Sequence, residues 1–258
     1  MKLAANLTML FNEVDFLDRF DKAAQAGFRG VEFLFPYAYP AHAIADKLDR
    51  HRLELVLHNL PAGDWSAGER GIACHPARRG EFEAGVARAI EYAHALGVKQ
   101  VNCLAGILPR GVEPERAHAV LVANLAFAAG RLEDEGIALL VEPINTFDIP
   151  GFFLHGTRQA LDLIRDTGAR NLFLQYDVYH MQRMEGELAA TIEANLPVIR
   201  HIQLADNPGR GEPGTGEINY RYLFARLDAL GYAGWVGCEY KPRTGTAEGL
   251  EWLAQHGI

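Results

Sequence analysis

Eight short apolar runs, separated by amphipathic stretches, limit how this sequence can fold more than any other feature. The runs lie at positions 3–7, 30–35, 53–58, 99–104, 137–142, 172–177, 201–205 and 235–240. Each run has the length of a β-strand, and one strand with its connection takes up about 32 residues, the size of a βα repeat. Strands that alternate with helices form a parallel sheet covered by those helices.

The connecting stretches carry signals of helix starts and stops. The stretch after the first strand repeats apolar residues at helical spacing and ends at Gly27. Thr157 and Asn219 are predicted N-caps of two later helices, and Gly231 is predicted to end the second of these. Eight such units favour closure, so we expect a (β/α)8 TIM barrel formed by a single domain of residues 1–258.

An open, doubly wound nucleotide-binding sheet is the alternative fold, because residues 209–214 match the pattern G-x-G-x-x-G. In a dinucleotide site the first glycine directly follows the first strand, and the last glycine opens a helix. Here Asp206, Asn207 and Pro208 intervene after a late strand. The segment is therefore predicted to be a flexible active-site loop, and no organic cofactor is expected.

Composition excludes several classes of function. The only serine, Ser66, does not lie in a nucleophile elbow, which argues against a serine hydrolase. The net charge of −8 and the lack of a basic patch predict no nucleic-acid partner. No apolar run approaches the ~20 residues of a membrane span. Three scattered cysteines suit a reducing cytoplasm. The oligomeric state is left open, and a homo-oligomer is compatible with the sequence.

Polar side chains lie at the ends of the last four predicted strands. Barrel enzymes draw their catalytic groups from the carboxyl ends of strands, and alternate residues of a strand share one face. On that criterion one polar residue from each strand faces inward: Glu142, Asp177, Gln203 and Glu239. We expect these four groups to converge on one spot.

A ring of oxygen donors without cysteine favours a hard divalent ion such as Mg²⁺ or Mn²⁺. Glu142, Asp177, Gln203 and Glu239 are the predicted ligands. Such an ion polarises a carbonyl and stabilises an enediolate. Ion pairing of the carboxylates without a metal is the alternative.

Six segments carry a resemblance to a known family over nearly the whole chain. They are NLTMLF (6–11), HNLPAGDW (58–65), VEPIN (141–145), QYDVYHMQ (175–182), GEPGTGEINY (211–220) and GCEYKP (237–242). With these segments the chain resembles the hydroxypyruvate isomerases of the xylose-isomerase-like barrel superfamily. The resemblance implies interconversion of hydroxypyruvate and 2-hydroxy-3-oxopropanoate (tartronate semialdehyde). It also implies that Glu142 and Glu239 are proton donor and acceptor and that Asp177 and Gln203 complete a metal site. The wider superfamily often has histidine at the position of Gln203.

The chemistry of such a reaction agrees with the residues. Isomerising an α-hydroxy carbonyl compound removes a proton from one carbon and delivers one to its neighbour through an enediolate. Two carboxylates, Glu142 and Glu239, can perform both transfers without an organic cofactor.

The substrate, a small oxo-acid, needs a cation for its carboxylate. Arg70, Arg210 and Lys241 are the candidates, with exposed surface charge as the alternative for each. Arg70 belongs to the long segment 60–79, which is predicted to close over the substrate as a lid.

Histidines near strand ends supply further candidates. His180, three residues after Asp177, is predicted to contact substrate or to orient a metal ligand, with a structural hydrogen bond as the alternative. His58 is a weaker substrate-binding candidate, for which a supporting role is favoured. His201 is expected to be a buried, hydrogen-bonded residue.

Other functions remain as alternatives. A four-carbon 2-oxo-tetronate isomerase or a sugar epimerase would keep the fold and change the substrate. A metal-dependent nuclease acting on abasic DNA would need more histidines at strand ends and a basic face. A non-catalytic sugar-binding barrel would not need two strand-end glutamates, and a Schiff-base lyase would depend on Lys241.

Overall fold

Eight parallel strands form a closed barrel in which each strand pairs with the next along the chain and the last pairs with the first. The structure is a computed structural model that describes residues 1–256. The strands are β1 (Lys2–Asn6), β2 (Gly30–Glu32), β3 (Glu54–Asn59), β4 (Gln100–Cys103), β5 (Ala138–Val141), β6 (Leu172–Asp177), β7 (Ile199–Leu204) and β8 (Trp235–Cys238). The predicted (β/α)8 barrel is confirmed.

Helices connect the strands and cover the outside of the barrel. They are α1 (Phe16–Gln25), α2 (Ala41–His51), α3 (Arg79–Leu96), α4 (Pro114–Glu133), α5 (Thr157–Thr167), α6 (Val178–Met184), α7 (Leu188–Asn195), α8 (Tyr220–Ala229), α9 (Thr246–Gly249) and α10 (Trp252–Gln255). Over residues 1–256, none of these helices combines the length and the apolar character that crossing a membrane requires.

All eight predicted strands are present, and their ends differ from the prediction by up to three residues. The run 30–35 becomes a strand of three residues, and the run 235–240 ends two residues early. Glu142 and Glu239 therefore directly follow β5 and β8 instead of ending them. At this position a side chain keeps the inward direction of its strand while its backbone enters the loop that surrounds the site.

The core has two parts, which correspond to the two faces of the strands. A small cluster fills the barrel interior and contains Ala4, Val56, Leu57, Leu140, Phe173 and Trp235. A much larger cluster lies between the strands and the helices and includes Leu139, Val141, Leu174 and Val236. Leu140 shares its strand face with Glu142, as Trp235 does with Glu239. The predicted inward direction of the site residues is confirmed, because alternate residues point to opposite faces.

Three of the helix signals are confirmed and one is wrong. Asn219 caps α8, since its side chain accepts a hydrogen bond from the backbone N–H of Tyr222. Gly27 and Gly231 follow their helices with positive φ angles. The N-cap of α5, however, is Gly156, and Thr157 is the first helical residue. The Thr157 side chain is buried, and its hydroxyl donates to the sulfur of Met181 instead of capping the helix.

Candidate active site

Each of the eight strands carries a buried polar side chain at or next to its carboxyl end. In strand order these residues are Asn6, Glu32, Asn59, Asn102, Glu142, Asp177, Gln203 and Glu239. The four predicted from the last four strands are all in this ring. The four from the first four strands were missed, although Asn6, Asn59 and Asn102 lie within two residues of the end of an apolar run.

Glu142 accepts its side-chain hydrogen bond from a neutral group. Asn102 Nδ2 donates to its Oε2 over 3.0 Å, and His180 Nε2 lies 3.8 Å from its Oε1. Burial raises the pKa of Glu142 well above its ordinary value, and the negative charges of Glu239 and Asp177 raise it further. The carboxyl group therefore favours its protonated form.

Glu239 has a more polar environment. Arg210 donates to its Oε1 over 2.6 Å, while Gln203 and Asn6 donate to its Oε2 over 2.5 Å and 3.1 Å. Burial raises the pKa of Glu239 to about 8, against the opposing charge of Arg210. This carboxyl group can therefore exchange a proton near neutral pH.

Glu32 is a buried carboxylate that the sequence analysis did not identify. It accepts hydrogen bonds from Asn6 (3.0 Å) and Gln203 (2.7 Å), the same two amides that bind Glu239. His201 Nε2 lies 2.6 Å from its other oxygen, so the expected buried role of His201 is confirmed. An added Cβ at Gly237 would collide with the Glu32 carboxylate, and a glycine in β8 is thus required for this contact.

Asp177 uses one oxygen for structure and presents the other to the site. Its Oδ1 caps α6 by accepting from the backbone N–H of Tyr179 (2.7 Å) and of His180 (3.3 Å). Its Oδ2 is buried without a hydrogen-bond partner and lies 3.5 Å from Arg210 Nη2. Burial raises the pKa of Asp177, against the charge of Arg210. An orphaned carboxylate oxygen at this position is what a cation would complement.

All four predicted metal ligands lie close together in the structure, but their hydrogen-bond and ion-pair partners differ. Ligand atoms of Glu142, Asp177 and His180 lie within 4.8 Å of one another, close enough to approach a single ion. The Oε1 atom of Gln203 instead accepts a hydrogen bond from Gln175, and Glu239 is paired with Arg210. Glu142 and Asp177 are thus the two predicted ligands that the geometry supports best.

Arg210 reaches the site from the loop between β7 and α8. Its backbone has a positive φ of 54°, and its side chain is only 14% exposed. The loop folds around Asp206, whose carboxylate accepts backbone hydrogen bonds from Gly214, Gly216 and Ile218. Because Arg210 from this loop lines the cavity and bonds Glu239, the prediction that 209–214 belongs to an active-site loop agrees with the structure.

Three of the predicted substrate-binding residues do not line the cavity. Arg70 packs on the Trp65 ring, 4.1 Å from its centroid, and donates to the Trp65 carbonyl. Lys241 is exposed. His58 is buried and directed away, because it alternates along β3 with Leu57 and Asn59, which both line the cavity. Asn59 lines the cavity in place of His58.

The cavity at the carboxyl end of the barrel has a volume of about 90 Å³. Its polar wall contains Glu142, Glu239, His180 and Arg210, and its apolar wall includes Trp65. Trp65 comes from the loop 60–78 between β3 and α3, one residue shorter than the segment predicted as a lid. A space of this size suits a small molecule with a few polar groups.

Fold and site together define a (β/α)8-barrel enzyme with two buried carboxyl groups on one cavity at its mouth. Residues 20–256 match the family described as Xylose isomerase-like TIM barrel. The chain is 61% identical over 253 residues to the hydroxypyruvate isomerase of Escherichia coli K12, with 98% of each chain covered. It is 46% identical over 252 residues to the 2-oxo-tetronate isomerase of Cupriavidus necator, with 98% of this chain and 97% of the relative covered.

A solved structure is also similar over nearly its full length. The protein described as AP endonuclease, family 2, from Brucella melitensis superposes with a TM-score of 0.96 at 45% identity, covering 99% of this chain and 98% of that one. The chain belongs to the xylose isomerase-like TIM-barrel family, and it is an isomerase. The resemblance to hydroxypyruvate isomerases that the sequence motifs indicated is confirmed.

Proposed function

We propose that this enzyme interconverts hydroxypyruvate and 2-hydroxy-3-oxopropanoate through an enediolate, with Glu142 and Glu239 as its acid–base pair. The observation that carries the proposal is the pair of buried carboxyl groups on one small cavity, in a chain 61% identical to a hydroxypyruvate isomerase. Burial raises the pKa of both groups, so each can hold at neutral pH a proton that an exposed glutamate would have lost, and can exchange it with the substrate.

The reaction moves two protons and leaves the carbon skeleton intact. One carboxylate removes a proton from C3 of hydroxypyruvate, and the electron pair of that C–H bond forms the C2–C3 double bond of the enediolate. The other carboxyl group delivers a proton to C2, while the C3 hydroxyl proton moves to the C2 oxygen, which leaves an aldehyde at C3. Substrate and product are isomers, so no oxidant or reductant is needed.

Arg210 and His180 are the groups that would bind the substrate's oxygens. Both line the cavity, and the guanidinium of Arg210 is the permanent positive charge among the lining residues. The guanidinium can hold the substrate carboxylate or the oxygen on which negative charge develops. Arg70, Lys241 and His58 remain weaker candidates because none of them lines the cavity.

A divalent ion, Mg²⁺ or Mn²⁺, is proposed as a cofactor. The unpartnered Oδ2 of Asp177 and the nearby carboxylate of Glu142 fit such an ion, and Gln203 and Glu239 remain the further predicted ligands. When bound, the ion would polarise the substrate carbonyl and offset the charge of the enediolate. Proton transfer stays with the two glutamates.

Turnover of purified enzyme against a panel of three- and four-carbon oxo-acids tests the substrate proposal. We expect the highest kcat/KM with hydroxypyruvate, measured before and after exhaustive chelation and after Mg²⁺ or Mn²⁺ is restored. Loss of activity with chelator and its recovery with metal would support the cofactor. Full activity after chelation would contradict it without affecting the substrate assignment.

Solvent deuterium tests the proton path. Turnover in D₂O should place deuterium on a product carbon, because a carboxyl group that is open to water exchanges its proton. Complete retention of the substrate's own hydrogen at low conversion would instead indicate a hydride shift. Glu142 and Glu239 would then not be the acid and base.

Two other activities have specific observations in their favour. The 46% identity to a 2-oxo-tetronate isomerase supports a four-carbon substrate, and a higher kcat/KM for 2-oxo-tetronate would overturn the three-carbon proposal. The description of the Brucella melitensis relative suggests cleavage of abasic DNA. The net charge of −8 and the small cavity argue against a DNA substrate. Incubation with an abasic-site duplex should leave it uncut.

We infer that the enzyme acts in the cytoplasm. Cys74, Cys103 and Cys238 are all buried free thiols, a state that a reducing compartment preserves.

A further inference from the structure

Asn145 and His180 form a buried hydrogen bond between the loop after β5 and the first turn of α6. The Asn145 Nδ2 atom lies 2.6 Å from Nδ1 of His180. Asn145 is fully buried, and His180 is 2% exposed. No step of the proposed reaction uses Asn145, yet it contacts the imidazole that lines the cavity.

The orientation of the Asn145 amide is determined by its other partners. Its Oδ1 accepts hydrogen bonds from the backbone N–H groups of Phe147 (3.1 Å) and Asp148 (2.8 Å). A backbone N–H can only donate, so the atom that faces both must be the amide oxygen. The opposite end agrees, because Nδ2 also donates to Asp148 Oδ2 over 3.1 Å. The amide nitrogen therefore faces His180.

This orientation determines the tautomer of His180. An amide N–H donates, so Nδ1 of the imidazole must accept and cannot carry a proton. An imidazolium carries a proton on both ring nitrogens, so a ring whose Nδ1 accepts a hydrogen bond is neutral. A neutral imidazole has one N–H, which must then be on Nε2.

The Nε2–H group faces the reacting part of the site. Nε2 lies 3.5 Å from Asp177 Oδ2, 3.8 Å from Glu142 Oε1 and 3.4 Å from Arg210 Nη2. Two donors, the Nε2–H of His180 and the guanidinium of Arg210, thus converge without being able to bond each other. An oxygen atom between them would accept from both. A protonated Nε2 cannot coordinate a cation, which removes His180 from the set of metal ligands.

We propose that Asn145 is a positioning residue that fixes His180 as the Nε2–H tautomer, so that the imidazole donates a hydrogen bond to an oxygen of the substrate. The inference rests on the proposed isomerisation, in which negative charge develops on the C2 oxygen of the enediolate. A neutral imidazole can polarise a carbonyl in this way without giving up its proton. Asn145 acts through His180 and does not touch the substrate.

The surrounding contacts hold both partners in place. Asp148, which binds Asn145, also accepts from the Tyr179 hydroxyl over 2.8 Å and from Arg183 over 2.5 Å. Tyr179 and Arg183 belong to α6, the helix that carries His180. The loop after β5 and α6 are therefore tied together on both sides of the Asn145–His180 bond, which keeps its geometry constant.

The first test measures the tautomer directly in the wild-type enzyme. Selective ¹⁵N labelling of histidine, with His180→Asn to assign the signal, distinguishes a protonated from an unprotonated ring nitrogen by NMR. We expect Nε2 to be protonated and Nδ1 to be bare in chelator-treated enzyme at neutral pH. A proton on Nδ1 would overturn the proposal. This measurement needs no substrate, so its outcome is independent of the assigned reaction.

The second test reverses the hydrogen bond. Asn145→Asp keeps the acceptor for Phe147 and Asp148, but its carboxylate can only accept from His180 and should move the ring proton to Nδ1. Loss of one donor to a developing oxyanion typically lowers kcat about 10²–10³-fold. We expect a decrease of that size with a smaller change in KM, together with the altered NMR signal. Asn12→Asp, the same substitution at an exposed position, is the matched control and should leave kcat unchanged.

The outcomes separate the inference from the proposed function. Unchanged kcat with a reversed tautomer would overturn the role of Asn145 while leaving Glu142 and Glu239 as acid and base. Absence of oxo-acid turnover in the wild-type enzyme would overturn the proposed function, and the tautomer would still be decided by NMR. If Asn145→Asp does not fold, the wild-type spectrum alone supports or contradicts the proposal.

Discussion

The two glutamates on opposite sides of the cavity have different hydrogen-bond partners. On the β4–β5 side, Glu142 accepts one hydrogen bond, which comes from the neutral side-chain amide of Asn102 on β4. On the β7–β8–β1 side, Glu239 accepts from two amides and from the guanidinium of Arg210. Both carboxyl groups directly follow a strand and both are buried. The difference between them lies entirely in their partners.

This difference separates the roles of the two groups. Burial and the negative charges of Glu239 and Asp177 raise the pKa of Glu142 well above its ordinary value, against the charge of Arg210 and the hydrogen bond from Asn102. The pKa of Glu239 is raised only to about 8, since Arg210 stabilises its ionised form. Environments that separate the pKa values of two carboxyl groups assign one as acid and the other as base. Without a bound cation, Glu142 is therefore the group that holds its proton more tightly, and Glu239 is the group that ionises first as the pH rises.

The largest expected effect is the loss of either carboxyl group. Glu142→Gln and Glu239→Gln should each lower kcat about 10²–10⁴-fold, because an amide neither accepts nor delivers the proton. If the two groups act as a unit, the double variant should be little worse than either single one. Steady-state kinetics in both directions measure this, with the exposed Glu115→Gln as control. Losses that multiply in the double variant would mean that the two groups act independently.

Removal of the cation on the Glu239 side should have the next largest effect. Arg210→Gln eliminates a charge-assisted hydrogen bond of about 1.5–3 kcal/mol, which corresponds to about 10–150-fold in kcat/KM. The pKa of Glu239 should rise further without Arg210, so the rising limb of the pH–rate profile should move to higher pH. Arg221→Gln, at an exposed position, is the matched control. A lower kcat/KM with an unmoved pH profile would restrict Arg210 to substrate binding.

The raised pKa of Glu239 also predicts how stability depends on pH. A carboxyl group whose pKa is higher in the folded state binds its proton more tightly there. Its contribution is therefore fully present below the ordinary carboxyl pKa and is lost as pH rises towards about 8. Urea unfolding with chelator present should show the unfolding free energy falling over this range, by at most about 1.4 kcal/mol per pH unit for this group. Glu239→Gln should flatten the slope, and equal slopes in both proteins would contradict the raised pKa.

The smallest effect is expected outside the cavity wall. Arg70 contacts Trp65 through a cation–π interaction, which contributes about 0.5–1 kcal/mol at an exposed site. Arg70→Ala should therefore raise KM about two- to five-fold by loosening Trp65, far less than Arg210→Gln. An equal loss in both variants would indicate that the loop 60–78 closes and brings Arg70 onto the substrate carboxylate.

The sequence by itself determined the barrel and half of its polar ring. Strand position and alternation are local properties, so a pattern of two residues per repeat located Glu142 and Glu239 on the inward face. The cap of α8 at Asn219 is likewise local, since its donor is three residues away. The cap predicted at Thr157 failed because a tertiary contact with Met181 used the same hydroxyl.

Only the tertiary structure decided which groups meet. Asn6 and Glu239 are 233 residues apart in the chain and bond because barrel closure makes β1 and β8 neighbours. Glu32 reaches the same amides only because Gly237 leaves room for its carboxylate. The register shift between β2 and β3 pairs Glu32 with Leu57, and the spacing of residues within either strand does not indicate this pairing. Alternation along a strand determines which face a residue is on. Its partners on that face belong to strands that are far away in the sequence, so only the folded structure shows which residues they are.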